Sequence, residues 1–302
     1  MKKSLGILAL LFFLCPLSAR GEADPPDESL GFLIRAAENE FYQVDHPDRY
    51  ARTGATLALL EKLYPKEPYV YWAKARLVFF QKEDYYLLPK DDLEKQKLEM
   101  ANICHQNADQ CLKLAPQNAE CHLLKGSCYA MQASTWGNSF KSLRVCNPMD
   151  HEWARAMELP SDFVHPGGTT TRQFAQILRA ILHRILPDSF WFRFLAGVRG
   201  NKELAYRWLE EAVTGAIAKE PMIVLERSVA TICYARQKKS HELEAKGMDE
   251  LREGVKLPTR YAMDDYDKKN MARVLEYPEE ACKYSREAFR DFSEKTLKSQ
   301  KP

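Results

Sequence analysis

The chain has 302 residues with 44 lysines and arginines against 42 aspartates and glutamates, 13 glycines and 8 cysteines. Near-neutral charge gives no electrostatic footprint for nucleic acid. Scarce glycine and almost no strand-like alternation argue against a β architecture, while helical periodicity recurs throughout and sets an all-α expectation.

Residues 1–23 read as an export signal: Lys2 and Lys3, an apolar run from Leu5 to Leu14, and small residues at Ala19, Gly21 and Ala23 for cleavage. The run is too short for a permanent anchor. Cys15 follows Leu14, where a lipid-attachment signal wants a small residue, so a lipid anchor is not favoured. Cleavage removes Lys2, Lys3, Arg20 and Glu22, which takes 44 basic and 42 acidic residues to 41 of each. The chain has no Asn-x-Ser/Thr sequon. The expectation is a soluble, exported, periplasmic protein in which residues 24–302 form one all-helical domain with no membrane insertion.

After Asp24-Pro-Pro-Asp27, helical spacing of Leu30, Leu33, Ile34, Ala37 and Phe41 predicts a helix over 28–44, broken by His46-Pro47. A second carries Ala55, Leu59, Leu60 and Leu63 and stops near Pro65. A third contains Tyr71, Trp72, Ala75 and Phe79, and a fourth runs over 91–114 into Pro116.

Around Pro116 the cysteines fall in mirror symmetry, Cys104 and Cys111 before it, Cys121 and Cys128 after it. Seven residues is nearly two helical turns, so each pair shares one face. An antiparallel helix pair hinged at Pro116 would bring Cys111 to Cys121 and Cys104 to Cys128 at matching heights. Two readings stand: two disulfides in an oxidising compartment, or cysteine serving as a small buried apolar residue. A zinc site with His105 or His122 is disfavoured, because the ligand spacing is not tight. Cys146, Cys233 and Cys282 bring the mature count to seven, so at least one stays unpaired within the chain.

The stretch Cys111 to Tyr129, Cys-Leu-Lys-Leu-Ala-Pro-Gln-Asn-Ala-Glu-Cys-His-Leu-Leu-Lys-Gly-Ser-Cys-Tyr, resembles the junction of two tetratricopeptide (TPR) repeats. Pro116, Gly126 and Tyr129 match the repeat's proline, close-packing glycine and aromatic; the four cysteines match small-residue positions, and His122 departs from the expected aromatic. Weaker echoes lie at Ala154–Pro160, Gly200–Ala212, and the pair Pro221–Tyr234 and Leu243–Pro258. A last pair, Tyr261–Glu276 and Glu279–Lys298, would cap the array. The expected fold is thus a degenerate TPR-like array of helical hairpins, an α-solenoid with insertions. With its export signal, the chain is similar to the periplasmic TPR-like T component associated with tripartite (TRAP) transporters. That resemblance implies a subunit that assembles with itself and with a substrate-binding protein and handles an apolar ligand.

Two insertions carry distinctive residues. In Ser134–Val145, Trp136, Asn138, Lys141 and Arg144 are candidates to line a partner or ligand pocket; the plainer alternative is a loop whose tryptophan packs on a helix. In Phe163–Arg172, His165 and Arg172 flank a Gly-Gly loop entering a helix, where backbone N–H groups can hold an anion, although Thr170 or Thr171 reads more simply as an N-cap. The stripe Phe174, Ile177, Leu178, Ile181, Leu182, Ile185, Leu186 reads as core first and as a ligand channel second, with Phe190, Trp191, Phe194 and Leu195 continuing the apolar mass. Asp264, Asp265 and Asp267 read as a solvated helix start.

No metalloprotease, nucleophile-elbow or phosphate-loop pattern occurs, so the expectation is a non-enzymatic protein without cofactor or metal. The leading reading is an exported scaffold or transport accessory that binds a protein partner. The alternative is a periplasmic subunit binding an apolar small molecule near 174–186. A cryptic hydrolase and a homo-oligomer are kept behind these.

Overall fold

The computed structural model describes residues 27–44, 46–84, 93–137, 140–165, 168–260 and 262–286. The expected export signal with Cys15, the candidate Asn138 and the end of the expected last helix lie outside them.

The chain is an all-α, TPR-like array. Its helices are α1 (Asp27–Phe41), α2 (Arg49–Leu63), α3 (Pro68–Asp84), α4 (Leu93–Leu114), α5 (Ala119–Trp136), α6 (Phe140–Glu158), α7 (Thr171–Ile185), α8 (Phe190–Ala196), α9 (Lys202–Ala212), α10 (Pro221–Lys238), α11 (His241–Val255) and α12 (Ala262–Glu276). Short 3₁₀ segments span Gly215–Lys219 and Pro278–Lys283. Helices adjacent in sequence pack together, except that α7 passes over α8 to pair with α9. A two-stranded antiparallel hairpin, β1 (Val164–His165) with β2 (Thr169–Thr170), sits between α6 and α7.

The α4–α5 pair shows how local chemistry sets the array. Pro116 follows the end of α4, and Asn118 caps α5 by accepting from the Cys121 amide at 2.9 Å. His122 bridges the turn to α6, one ring nitrogen 2.6 Å from a Glu152 carboxylate oxygen and the other 3.0 Å from the Pro116 carbonyl. The hydrogen bond to Glu152 raises the His122 pKa, as a ring donating from both nitrogens requires. Disulfides join Cys104 to Cys128 and Cys111 to Cys121, with Cα atoms 5.5 and 5.6 Å apart. Gly126 is where α6 comes closest: a Cβ there would lie 2.6 Å from the Trp153 indole, which donates to the Leu123 carbonyl.

A large aromatic and aliphatic core runs from α1 to the end of α8, taking in Phe41, Leu57, Trp72, Leu124 and Trp153. A second core joins α7 to α9 and α10 around Ile177, Leu209 and Ile223, and a third joins α10, α11 and α12 around Leu225, Leu251 and Met271. The α7 stripe is therefore divided between two cores, with Ile185 left exposed at the helix end. A third disulfide links Cys233 of α10 to Cys282 of the last 3₁₀ segment, a pairing that no sequence pattern announced. Cys146 is free and buried, and burial pushes its thiol up to about 11.

Four expectations need correction. Ser134–Val145 is not a loop: α5 runs to Trp136 and α6 begins at Phe140, so the interruption is a short break that starts at Gly137, whose φ of 58° suits glycine. Residues 278–283 form a 3₁₀ turn rather than the start of a long helix, because Pro278 restarts the chain immediately after α12. Asp264 and Asp267 are buried rather than solvated; Asp264 accepts the Arg260 amide and Asp267 pairs with Arg286. Phe190, Trp191, Phe194 and Leu195 do not continue the core but point outward.

Candidate functional site

The structure does not bring the expected site residues together. Trp136 ends α5 half-buried, Lys141 and Arg144 are exposed on α6, and Arg172 is exposed in the first turn of α7. The anion-site expectation at α7 meets a competing use of the same amides. Thr170 accepts the Gln173 amide at 3.2 Å, and Gln173 reciprocates from its side chain to the Thr170 amide at 2.9 Å. This capping box occupies two of the donors an anion would need.

His165 alone enters a dense polar cluster. Its Nδ1 lies 3.1 Å from the Tyr42 hydroxyl, and its ring packs edge-on to Phe163. Beside it sits Arg76, 1% exposed. Arg76 donates to both carboxylate oxygens of Glu38, at 3.0 and 2.6 Å, and to Tyr42 at 3.2 Å. Its guanidinium lies 4.2 Å from the Phe41 ring centre and 4.8 Å from that of Trp72. Burial, with the Arg76 charge in support, lowers the His165 pKa to about 4. Burial likewise pushes Tyr42 up to about 12. The ring at 165 is thus neutral at neutral pH, and the cluster acts as a latch holding the β-hairpin on α1 and α3. Arg76 reads in sequence as one more surface cation; the signal that could have exposed it is its place in a run of buried residues, Tyr69 to Leu77, broken only by Lys74.

Among the described residues, no group of three His, Cys, Asp or Glu side chains is placed to hold a metal ion. No helix of the described residues is long and apolar enough to cross a membrane.

The best-formed concavity lies elsewhere, between the Gly215–Lys219 turn, α10 and α11. It is an open cleft of about 630 Å³. One wall is α11, whose Glu242, Lys246, Asp249 and Glu253 recur at helical spacing; Lys219 and Arg227 face them. Val224, Gly254 and Leu257 complete the lining. Arg227 and Glu250 pair at 3.2 Å, and Lys246 reaches Glu210 at 2.7 Å. Gly254 and Gly247 let α11 lie close on its neighbours: a Cβ at Gly254 would meet Met271 and Val224 at 2.7 and 2.8 Å, and one at Gly247 would meet Ile232 at 2.7 Å. Nothing in the cleft couples a nucleophile to a base. Its chemistry is that of paired charges over an apolar floor. Sequence reasoning missed it because acidic and basic residues at i and i+4 look like an ordinary solvated helix face.

No protein-family model matches the chain, and no curated protein matches its sequence. Among solved structures, the chain is similar to a thermophilic TPR protein of Thermus thermophilus, with a TM-score of 0.50 over 80% of this chain and 99% of that one, at 10% sequence identity. At that identity the likeness speaks for the fold alone: a TPR-like stack of helical hairpins.

Proposed function

We propose that the chain is an exported, non-enzymatic scaffold or transport accessory that binds a protein partner through the α10–α11 cleft. The observation that carries this reading is the cleft itself, an open, charge-lined concavity on a TPR-like array, a fold that generally mediates protein–protein contact. Three disulfides fit an oxidising compartment such as the periplasm. The Pro116 junction and the N-terminal signal together favour a partner of the kind a T component serves, a periplasmic substrate-binding protein. The apolar-ligand reading is the weaker one, because the apolar side chains of 174–186 other than Ile185 pack in the two cores.

Native mass spectrometry of protein purified from its own host tests the proposal. The expected result is a stoichiometric protein partner on the wild-type chain that is lost in Lys219→Glu/Lys246→Glu, both residues being exposed. A monomer carrying an apolar small molecule and no protein would overturn it.

A further inference from the structure

Helix α8 breaks the rule that apolar surface is buried. Its sequence is Phe-Trp-Phe-Arg-Phe-Leu-Ala, and only Phe192 and Ala196 turn to the core. Phe190, Trp191, Phe194 and Leu195 are 70%, 74%, 78% and 61% exposed. At roughly 150–250 Å² per aromatic side chain, the three rings alone leave about 400 Å² bare. That is the size of the largest apolar patch on a typical monomer, and such patches are often functional.

The patch is held out, not left loose. Ser189 caps α8 by accepting the Phe192 amide at 3.1 Å, and Gly197 ends it in the left-handed region at φ 74°. The excursion then closes on itself. The Gly200 amide donates to the Pro187 carbonyl at 3.0 Å and the Asn201 amide to the His183 carbonyl at 2.9 Å. No side chain is tolerated at Gly200, where a Cβ would lie 1.9 Å from the Leu186 carbonyl oxygen. The result is a compact Ω-type loop with both ends tied to α7 and four apolar side chains at its outer face.

The surroundings are basic. Arg193 and Arg199 are exposed on the loop. Asp188, the one carboxylate in 187–201, lies 3.8 Å from Arg199 and offsets part of its charge. Helix α6 packs against α8, with Asn147 beside Gly197. On the Asn147 stripe of α6, at i−7 and i−3, lie Phe140, 77% exposed, and Arg144; Lys141 is exposed next to them. Residues 140–147 contain no acidic residue.

We propose that α8 is a membrane-surface anchor that seats its aromatic rings among the headgroups of an anionic bilayer. Tryptophan and phenylalanine prefer the headgroup boundary, and a cationic rim adds attraction to anionic lipid. The exposed rings, with Arg193 on the same helix and Arg144 and Lys141 on the α6 that packs against it, complement such a surface in charge. The contact lies on the membrane and does not span it. It is independent of the α10–α11 cleft, so each can fail without the other.

The test is co-sedimentation of the full chain, purified from its own host, with vesicles of phosphatidylcholine alone or mixed with phosphatidylglycerol. Three variants keep the inner face of α8: Phe190→Ser/Trp191→Ser/Phe194→Ser, Arg193→Glu/Arg199→Glu, and Lys219→Glu/Lys246→Glu as a cleft control. Unchanged circular dichroism and melting confirm folding. The wild type should partition about tenfold more strongly onto anionic vesicles, and the aromatic variant should lose about tenfold or more. The arginine variant should lose the anionic preference, and the cleft variant should bind vesicles like the wild type. Absence of wild-type binding, or equal binding by the aromatic variant, overturns the proposal. So does a dimer that the aromatic variant dissolves, which would give the patch to a second copy. A protein complex lost in the aromatic variant, without vesicle binding, would give it to a protein.

Discussion

The two ends of the array solve the same problem differently. In each, an arginine is buried beside a glutamate: Arg76 with Glu38 between α3 and α1, and Arg184, 0% exposed, with Glu226 between α7 and α10. At the N-terminal end aromatic rings enclose the guanidinium, and Glu38 also accepts from Tyr69. At the C-terminal end Arg184 also donates to the Tyr284 carbonyl at 2.8 Å, and the segment carrying Tyr284 is fixed by Cys233–Cys282. One end depends on side-chain partners alone, the other on a backbone carbonyl and a covalent link. The difference teaches that a buried charge is secure only to the extent that its second partner survives the loss of the first.

The largest effect should come from breaking the more dependent pair. Glu38→Ala leaves Arg76 buried with only the Tyr42 hydroxyl at 3.2 Å and should cost about 3–5 kcal/mol, whereas Glu226→Ala should cost less because the Tyr284 carbonyl, at 2.8 Å, is the stronger remaining acceptor. Urea unfolding of both variants checks the ordering, and equal losses would break the comparison. The disulfides should rank by the loops they close. Their separations are 49, 24 and 10 residues. The chain-entropy relation gives about 4 kcal/mol for Cys233–Cys282, about 3.5 for Cys104–Cys128 and about 2.7 for Cys111–Cys121. Paired Cys→Ser variants measured by the same unfolding assay test that sequence.

Acid should loosen the N-terminal end first. The folded His165 pKa is near 4, below the ordinary 6.5, so the unfolded chain takes the proton first as pH falls. Stability is therefore intact above about 6.5, declines between 6.5 and 4, and levels off below 4 as far as this group is concerned, a loss on the order of 3 kcal/mol. His105, lowered to about 4 by burial and by Lys125, adds in the same window. Asp150 acts later. Burial raises its carboxyl, but bonds from His183 and Arg179 outweigh that and hold it at about 2 against 3.8, so its contribution is lost only as pH falls from about 4 towards 2. Stability curves for the wild type and His165→Gln should differ chiefly in slope between pH 6.5 and 4. The smallest effect is expected at α11, where Gly254→Ala presses on Met271 and Val224 and should cost about 1–3 kcal/mol.

The parts of this molecule legible in its sequence are those with a short-range signature. Periodicity located most of the helices. The Pro116 junction located a hairpin whose Gly126 packs as a TPR glycine would, and the symmetry of four cysteines offered the pairing the structure contains. What stayed hidden depends on distant neighbours. Cys233 meets Cys282 across 49 residues. Arg76, Arg184, Asp264 and Asp267 carry charges that composition assigns to the surface, and only tertiary partners bury them. The α8 residues failed in the opposite sense: an apolar run reads as core, and nothing local says that its loop closes before the rings can turn inward. The α10–α11 cleft is a surface between elements, and none of its charges forms a motif alone.

The free cysteine has a consequence for how the chain keeps its connectivity. An exchange reaction between sulfurs begins with a thiolate. Cys146 is enclosed, with its thiol held near 11, so almost none is ionised at neutral pH. Among the described residues, the one free thiol that could attack a disulfide is silenced by its own burial. Exchange from a thiol among the described residues is therefore open only while the packing around Cys146 is open, and closing it fixes the three bonds.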